Sequence, residues 1–150
     1  LASREQSVHL AQFPGAAEIL GSGTKIDPKA DEDWATLRSV RDEVLKALET
    51  ARNEKLIGTG LEAQVAITAA DPVYSLLHRY ADQLRYLFIV SQVKLSQGSG
   101  NGTGSVKVDV KKADGLKCDR CWNYSTHVGE DKNYPTICER CSAVLKELET

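Results

Sequence analysis

Lys117-Cys118-Asp119-Arg120-Cys121-Trp122-Asn123-Tyr124-Ser125 and, further on, Pro135-Thr136-Ile137-Cys138-Glu139-Arg140-Cys141 hold every cysteine of the chain. The cysteines form two C-x-x-C pairs, with sixteen residues between Cys121 and Cys138. Two residues between cysteines let one tight turn aim both sulfurs at one point. Two such turns supply four sulfurs at tetrahedral corners, about 2.3 Å from a zinc ion. Cys118, Cys121, Cys138 and Cys141 are therefore read as ligands of one closed, structural Zn2+. Three other readings stay open. Two disulfides need an oxidising compartment, a thioredoxin-like pair needs one C-x-x-C beside a βαβ pattern, and a catalytic zinc leaves a position for water. His127, between the pairs, could replace one sulfur but reads as an ordinary loop histidine.

A zinc hairpin of this size keeps little core. Metal binding is expected to supply most of its folding free energy, on the order of 10–16 kcal/mol by comparison with zinc-finger peptides. Ligation removes four protons and adds a divalent cation, taking the formal charge of the chain from −2 to −4. Lys117, Arg120 and Arg140 flank the ligands, placed to hydrogen-bond toward the sulfurs or to hold phosphate.

Working outward, the chain has 150 residues, room for one domain and a small appendage. With 41% hydrophobic and 27% charged residues it has a globular composition. No apolar run approaches the length of a membrane span. A net charge of −2 argues against a chain that binds nucleic acid by bulk charge. The start at Leu1-Ala2-Ser3-Arg4, without methionine or leader, reads as part of something longer.

Residues 1–32 read as an irregular lead-in, with a weak strand-and-turn signal at Val8, Leu10 and Phe13 before Pro14-Gly15. Asp27-Pro28 and Asp31 to Asp33 mark a helix entry. Over 33–56, Trp34, Leu37, Val44, Leu48 and Ala51 recur at helical spacing, with Leu45 on the flank. Arg41 and Arg52 are eleven residues apart, about 20° on the helix cylinder, beside that stripe. Their stems are expected to cover apolar surface while their heads pair with acids.

Leu61 to Ile67 alternates as a strand. Asp71-Pro72 opens a second helix carrying Val73, Leu76, Leu77, Tyr80 and Leu84, and Tyr86 to Val90 reads as a short buried strand. His78 has no nucleophile or paired carboxylate near it and reads as an edge histidine. Residues 96–105, SQGSGNGTGS, read as a flexible loop spanning roughly 17 Å. Asn101-Gly102-Thr103 matches a glycosylation acceptor, which has no weight without a secretory context. Val106, Val108 and Val110 alternate in an exposed strand, 106–115, leading to the zinc module at 116–150, and Val144, Leu145 and Leu148 suggest a short terminal helix. The fold class expected is α+β: a helix-strand-helix-strand domain over 33–95 with a C-terminal four-cysteine zinc hairpin.

The two cysteine blocks resemble the C-terminal zinc module of bacterial isoleucyl-tRNA synthetases. So do Trp34, Leu37-Arg38, Arg41 to Val44, Ala47 to Lys55, Ile57-Gly58 and Leu61 to Ala63, and the opening Ser7 to Leu10 with Phe13-Pro14. Residues 70–110 match poorly. The resemblance implies a non-catalytic segment from the end of the anticodon-binding region of a cytoplasmic class I synthetase, which charges tRNA with isoleucine using ATP. The HIGH and KMSKS signatures that this chemistry needs are not in the sequence. The implied partners are the isoleucine-accepting tRNA and the rest of the synthetase chain, with no membrane. RNA loops are read by splaying bases onto aromatic rings and fixing the backbone with cations. Trp122, Lys117, Arg120 and Tyr134 are the candidate RNA contacts, with Arg41 and Arg52 as the alternative to their surface-covering reading. Trp122 could equally cover the zinc, and Tyr124 is expected to pack. Two other classes remain: a DNA-glycosylase zinc hairpin, which needs a helix–turn–helix and a basic surface upstream, and a zinc-stabilised protein-interaction domain.

Overall fold

The structure, a computed structural model, describes residues 7, 9–21, 27–98 and 106–148. The chain divides into two compact units, Leu1–Glu32 and Asp33–Thr150. In the first, the helix α1 (Ala16–Leu20) follows Gly15 and buries nothing. The strand expected near Val8, Leu10 and Phe13 is absent among the described residues; Val8 lies outside them, and Leu10 and Phe13 are exposed.

The long helix α2 (Pro28–Asn53) begins with proline, whose missing N–H costs nothing in a first turn. From Asp33 onward it belongs to the second unit. Leu37, Val40, Val44, Leu48 and Ala51 are its buried stripe. Trp34, expected in that stripe, is 49% exposed instead.

A 3-10 turn, Gly60–Glu62, leads into β1 (Ala63–Ala69). β1 is the middle strand of a three-stranded sheet, parallel to β2 (Gln92–Gln97) and antiparallel to β3 (Val106–Lys112). Its central place explains why Ala63, Gln64, Val65, Ile67 and Ala69 are all buried. The strand was expected from Leu61 with polar alternation; burial on both faces replaces that alternation. A parallel pair needs a crossover, which two short helices supply, α3 (Val73–Arg79) and α4 (Ala81–Phe88).

Two expectations are corrected here. The second helix is split at Tyr80, whose φ of −105° and ψ of 16° leave the helical region. The strand expected over Tyr86 to Val90 is helix up to Phe88. Leu84 and Phe88, one turn apart, are its buried face, so an apolar run that looked strand-like has helical spacing. Ile89, at φ 56°, ends α4 in the left-handed region. The Arg41 Nε donates to the Leu87 carbonyl at 3.1 Å, satisfying an acceptor left over at that helix end.

The strand β3 also differs from its reading as exposed. It pairs along β1 from Val106↔Ala69 to Lys112↔Ala63, and Val106, Val108 and Val110 pack half-buried on the core. The Gly/Ser loop and its Asn101 fall on 99–105, outside the described residues; Ser96 and Gln97 belong to β2.

After β3 the chain turns at Gly115, φ +91°. A Cβ there would sit 2.2 Å from the Ser125 carbonyl oxygen, so only glycine fits this close approach. β4 (Leu116–Lys117) and β5 (Tyr124–Ser125) form an antiparallel hairpin around the first cysteine pair. The final helix α5 (Glu139–Leu148) starts earlier than the terminal helix expected after Cys141 and takes Cys141 into its first turn. The architecture is α+β with a four-cysteine module, as the sequence suggested.

The module and the segment leading into it are fixed to the sheet by polar contacts. The buried Ser91 hydroxyl donates to the Leu61 carbonyl at 2.5 Å and accepts from the Tyr124 N–H at 2.7 Å. The Gln64 amide donates to Gln92 at 2.5 Å and to the Asp114 carboxylate at 3.0 Å. The Ala113 N–H donates to the Glu62 carbonyl at 2.7 Å.

Candidate metal centre and nucleic-acid face

The first C-x-x-C is a tight turn closed by two backbone bonds. The Trp122 N–H donates to the Cys118 carbonyl at 2.8 Å, and the Cys118 N–H to the Asn123 carbonyl at 2.9 Å. Trp122 takes φ 64°, the left-handed geometry needed to reverse the chain. The second pair uses a helix start: Cys138 stands immediately before α5 and Cys141 within it. N–H groups unbonded at a helix start favour thiolate there.

Two contacts hold the arms together across the centre. The Asp119 N–H donates to the Thr136 carbonyl at 3.1 Å, and the Cys138 N–H to the Cys118 sulfur at 3.3 Å. The four sulfurs all lie within 4.8 Å of one another. A tetrahedron with metal–sulfur bonds of about 2.3 Å puts its sulfurs about 3.8 Å apart; Cys121 and Cys138 are separated by 3.7 Å. No disulfide joins them.

Their acidities show why a cation suits this cage. Burial pushes the Cys121 thiol up, but hydrogen bonds from the Asn123 side chain and backbone and from Arg140 outweigh it, bringing it down to about 6. Burial, together with the neighbouring sulfurs, pushes Cys138 up to about 12. Cys141 is also raised, by burial first and by Cys121 and Cys118. One thiolate thus suppresses the next. A divalent cation at the centre removes that conflict and lets all four ionise. Donor softness and number suit Zn2+.

Around the sulfurs, Ile137 is buried, and Val128, Tyr134 and Leu145 pack partly buried against the cluster. Arg140 and Arg120 flank the sulfurs: the Cys121 sulfur raises the Arg140 pKa, and Arg120 acts to lower that of Cys141. Lys117 faces the other way: its Nζ stands 5.1 Å from the Trp122 ring centroid. Trp122 is 61% exposed, so it does not lie buried over the sulfurs. Tyr124 is half-buried in the hairpin.

The remaining candidates are elsewhere. His127 is exposed and bonded through Nδ1 to Glu130 at 2.8 Å; that bond raises its pKa, and it is not in the sulfur cluster. Arg41 is held at the end of α4, and Arg52 is paired on the surface with Glu49 at 2.7 Å. The structure brings together the cysteines, Lys117, Arg120 and Trp122, places Tyr134 beside them in the small core, and leaves Arg41 and Arg52 on α2. Sequence reading missed Ser91, Gln64 and Tyr86. Arg140 lies 5.8 Å from the Tyr86 ring, a contact 54 positions apart that no local pattern signals.

A family described as a zinc finger found in FPG and IleRS matches residues 115–144. Over most of its length the chain is similar to isoleucine--tRNA ligases. Identity is 45% over 150 residues to that of Syntrophotalea carbinolica, covering 96% of this chain and 16% of the relative. It is 48% over 123 residues to that of Thermotoga neapolitana, covering 81% and 13%. It is 44% over 147 residues to that of Gloeobacter violaceus, covering 91% and 15%. The chain thus spans 13–16% of the length of these relatives.

Proposed function

We propose that this chain is a non-catalytic, tRNA-binding segment of an isoleucine--tRNA ligase, holding the anticodon arm while other parts of a cytoplasmic enzyme activate isoleucine with ATP and charge the tRNA. The similarity over 96% of the chain carries the assignment to that enzyme. Residues 116–150 form the metal module and 33–95 its α/β support. One structural Zn2+ sits on Cys118, Cys121, Cys138 and Cys141; its chemistry is to neutralise the thiolates and fix both arms. No helix among the described residues is long and apolar enough to cross a membrane.

The exposed Trp122 is the observation that favours RNA over a purely structural knuckle. An indole held on a metal-fixed turn, with a lysine over it, is a stacking platform that loses little entropy on binding. Arg120 adds a cation beside it. Arg41 and Arg52 remain on α2 as a more distant phosphate contact.

The test combines elemental analysis with amide spectra. We expect one zinc per chain. On chelation, signals of 116–148 collapse while those of 33–95 persist. Titration of isoleucine-accepting tRNA at moderate salt then shifts Trp122 and its neighbours. A chain whose Trp122 region responds to a protein partner and to no RNA would make this an interaction module instead.

A further inference from the structure

We infer that the groove between α4, β2 and the first arm of the zinc module is a second seat for single-stranded RNA, one that takes an unstacked base and its phosphate beside the Trp122 platform. It rests on the tRNA reading above and adds to it a site lined mainly from the stretch with the poorest motif resemblance.

The groove has a volume of 850 Å³ and is lined by Arg85, Tyr86, Lys94 and Thr126 above a floor of Gln64 and Gln92. Its wall presents stacking surfaces. Tyr86 is 52% exposed, and two guanidinium groups stand against its ring, Arg85 at 4.8 Å and Arg140 at 5.8 Å. Arg85 also donates to the Tyr86 hydroxyl at 2.7 Å, so this wall is ordered before any ligand arrives. Unstacked bases lie on aromatic rings and on arginine planes alike.

No carboxylate pair among the described residues takes up the cations of this wall. In the described residues the carboxylate pairs take Lys46, Arg52, Arg79, Lys107 and Lys146. None of them involves Arg85, Lys94 or Arg140. Asp82 and Asp114 also face the groove, which keeps it from being a bulk phosphate trap. Asp114 is engaged by the Gln64 amide.

The floor is a fixed polar layer. Gln64 is 1% exposed and gives its amide hydrogens to Gln92 and Asp114, yet its carbonyl oxygen has no partner among the described residues. A buried acceptor without a partner is unfavourable until an N–H reaches it.

Continuity with Trp122 is built in. Arg140, between the ligand cysteines of the second arm, stands 5.8 Å from the Tyr86 ring. Thr126, four residues after Trp122, lines the groove, so the arm that carries the indole also borders this seat.

The experiment uses the zinc-loaded chain, an isoleucine-accepting tRNA transcript and a single-stranded octanucleotide of its anticodon loop, with affinity read by anisotropy across a salt series. Lys94→Ala, Tyr86→Leu and Trp122→Ala are compared, all three being exposed positions, with amide spectra confirming the fold. Tyr86→Leu is expected to weaken binding roughly five- to a hundredfold. Lys94→Ala is expected to weaken it several-fold and to lower the salt slope by about 0.7. If both bind like the parent while Trp122→Ala binds weakly, the groove is not an RNA seat and the proposed function stands. If the parent binds neither RNA, both readings fall.

Discussion

The α/β part and the zinc module occupy one compact unit and are held together by opposite means. In the first, fifteen buried hydrophobic residues from α2, β1, α3, α4 and the connecting turns form one cluster. In the second, the buried cluster is Ile137 and three of the ligand cysteines. Burial of apolar area stabilises by about 25 cal/mol per Å², so the first region is held by the sum of many contacts, and the second, on the proposed function, by a few bonds from its cysteines to zinc. One lost contact in a distributed core removes a fraction of its stability, whereas one lost ligand removes much of what holds a metal core. That division also leaves the module's surface free: Trp122, Lys117 and Arg120 can stay exposed because the fold does not need them inside.

Removing a ligand should break the contrast most sharply. Cys138→Ser replaces a buried thiolate donor. It is expected to forfeit much of the roughly 10–16 kcal/mol typical of structural zinc. Amide spectra should show 116–148 unfolded with 33–95 intact. A folded, metal-bound module would show that packing, not the ion, holds this region.

The corresponding change in the α/β core should be smaller and should spread. Leu48, 1% exposed, lies mid-stripe on α2. Leu48→Ala is expected to cost about 2–5 kcal/mol, read as a lower urea midpoint for the α/β part with zinc content unchanged. Loss of zinc at the same urea concentration would mean that the two regions unfold as one.

Ser91→Ala tests the joint between them with the smallest effect. The Tyr124 N–H and the Leu61 carbonyl both lose a partner, at a cost of about 1–3 kcal/mol. Faster amide exchange at Tyr124, with zinc still bound, is the expected signature. Unchanged exchange there would assign the joint to the Gln64, Gln92 and Asp114 contacts alone.

Legibility in the sequence followed the range of the interactions involved. The cysteine pairs could be read because each turn is local, and α2 could be read because its stripe repeats within one element. Tyr86 to Val90 could not, since five apolar residues fit a buried strand or a helix end; the αL turn at Ile89 and the acceptance of the Arg41 N–H by Leu87 settle it as helix. The valines of β3 read as an exposed strand because their pairing partners on β1 are 37 to 45 residues away.

The sequence by itself determined the donor set, the two turns that carry it and the kind of metal they suit, because spacing within four residues fixes where sulfurs can point. Only the tertiary structure decided that Ser91 fastens the module and Gln64 the segment before it to the sheet, that Trp122 faces outward, and that Arg140 stands against Tyr86. Those depend on which surfaces meet once the β1 and β3 strands pair, and chain separation alone carries no trace of that meeting.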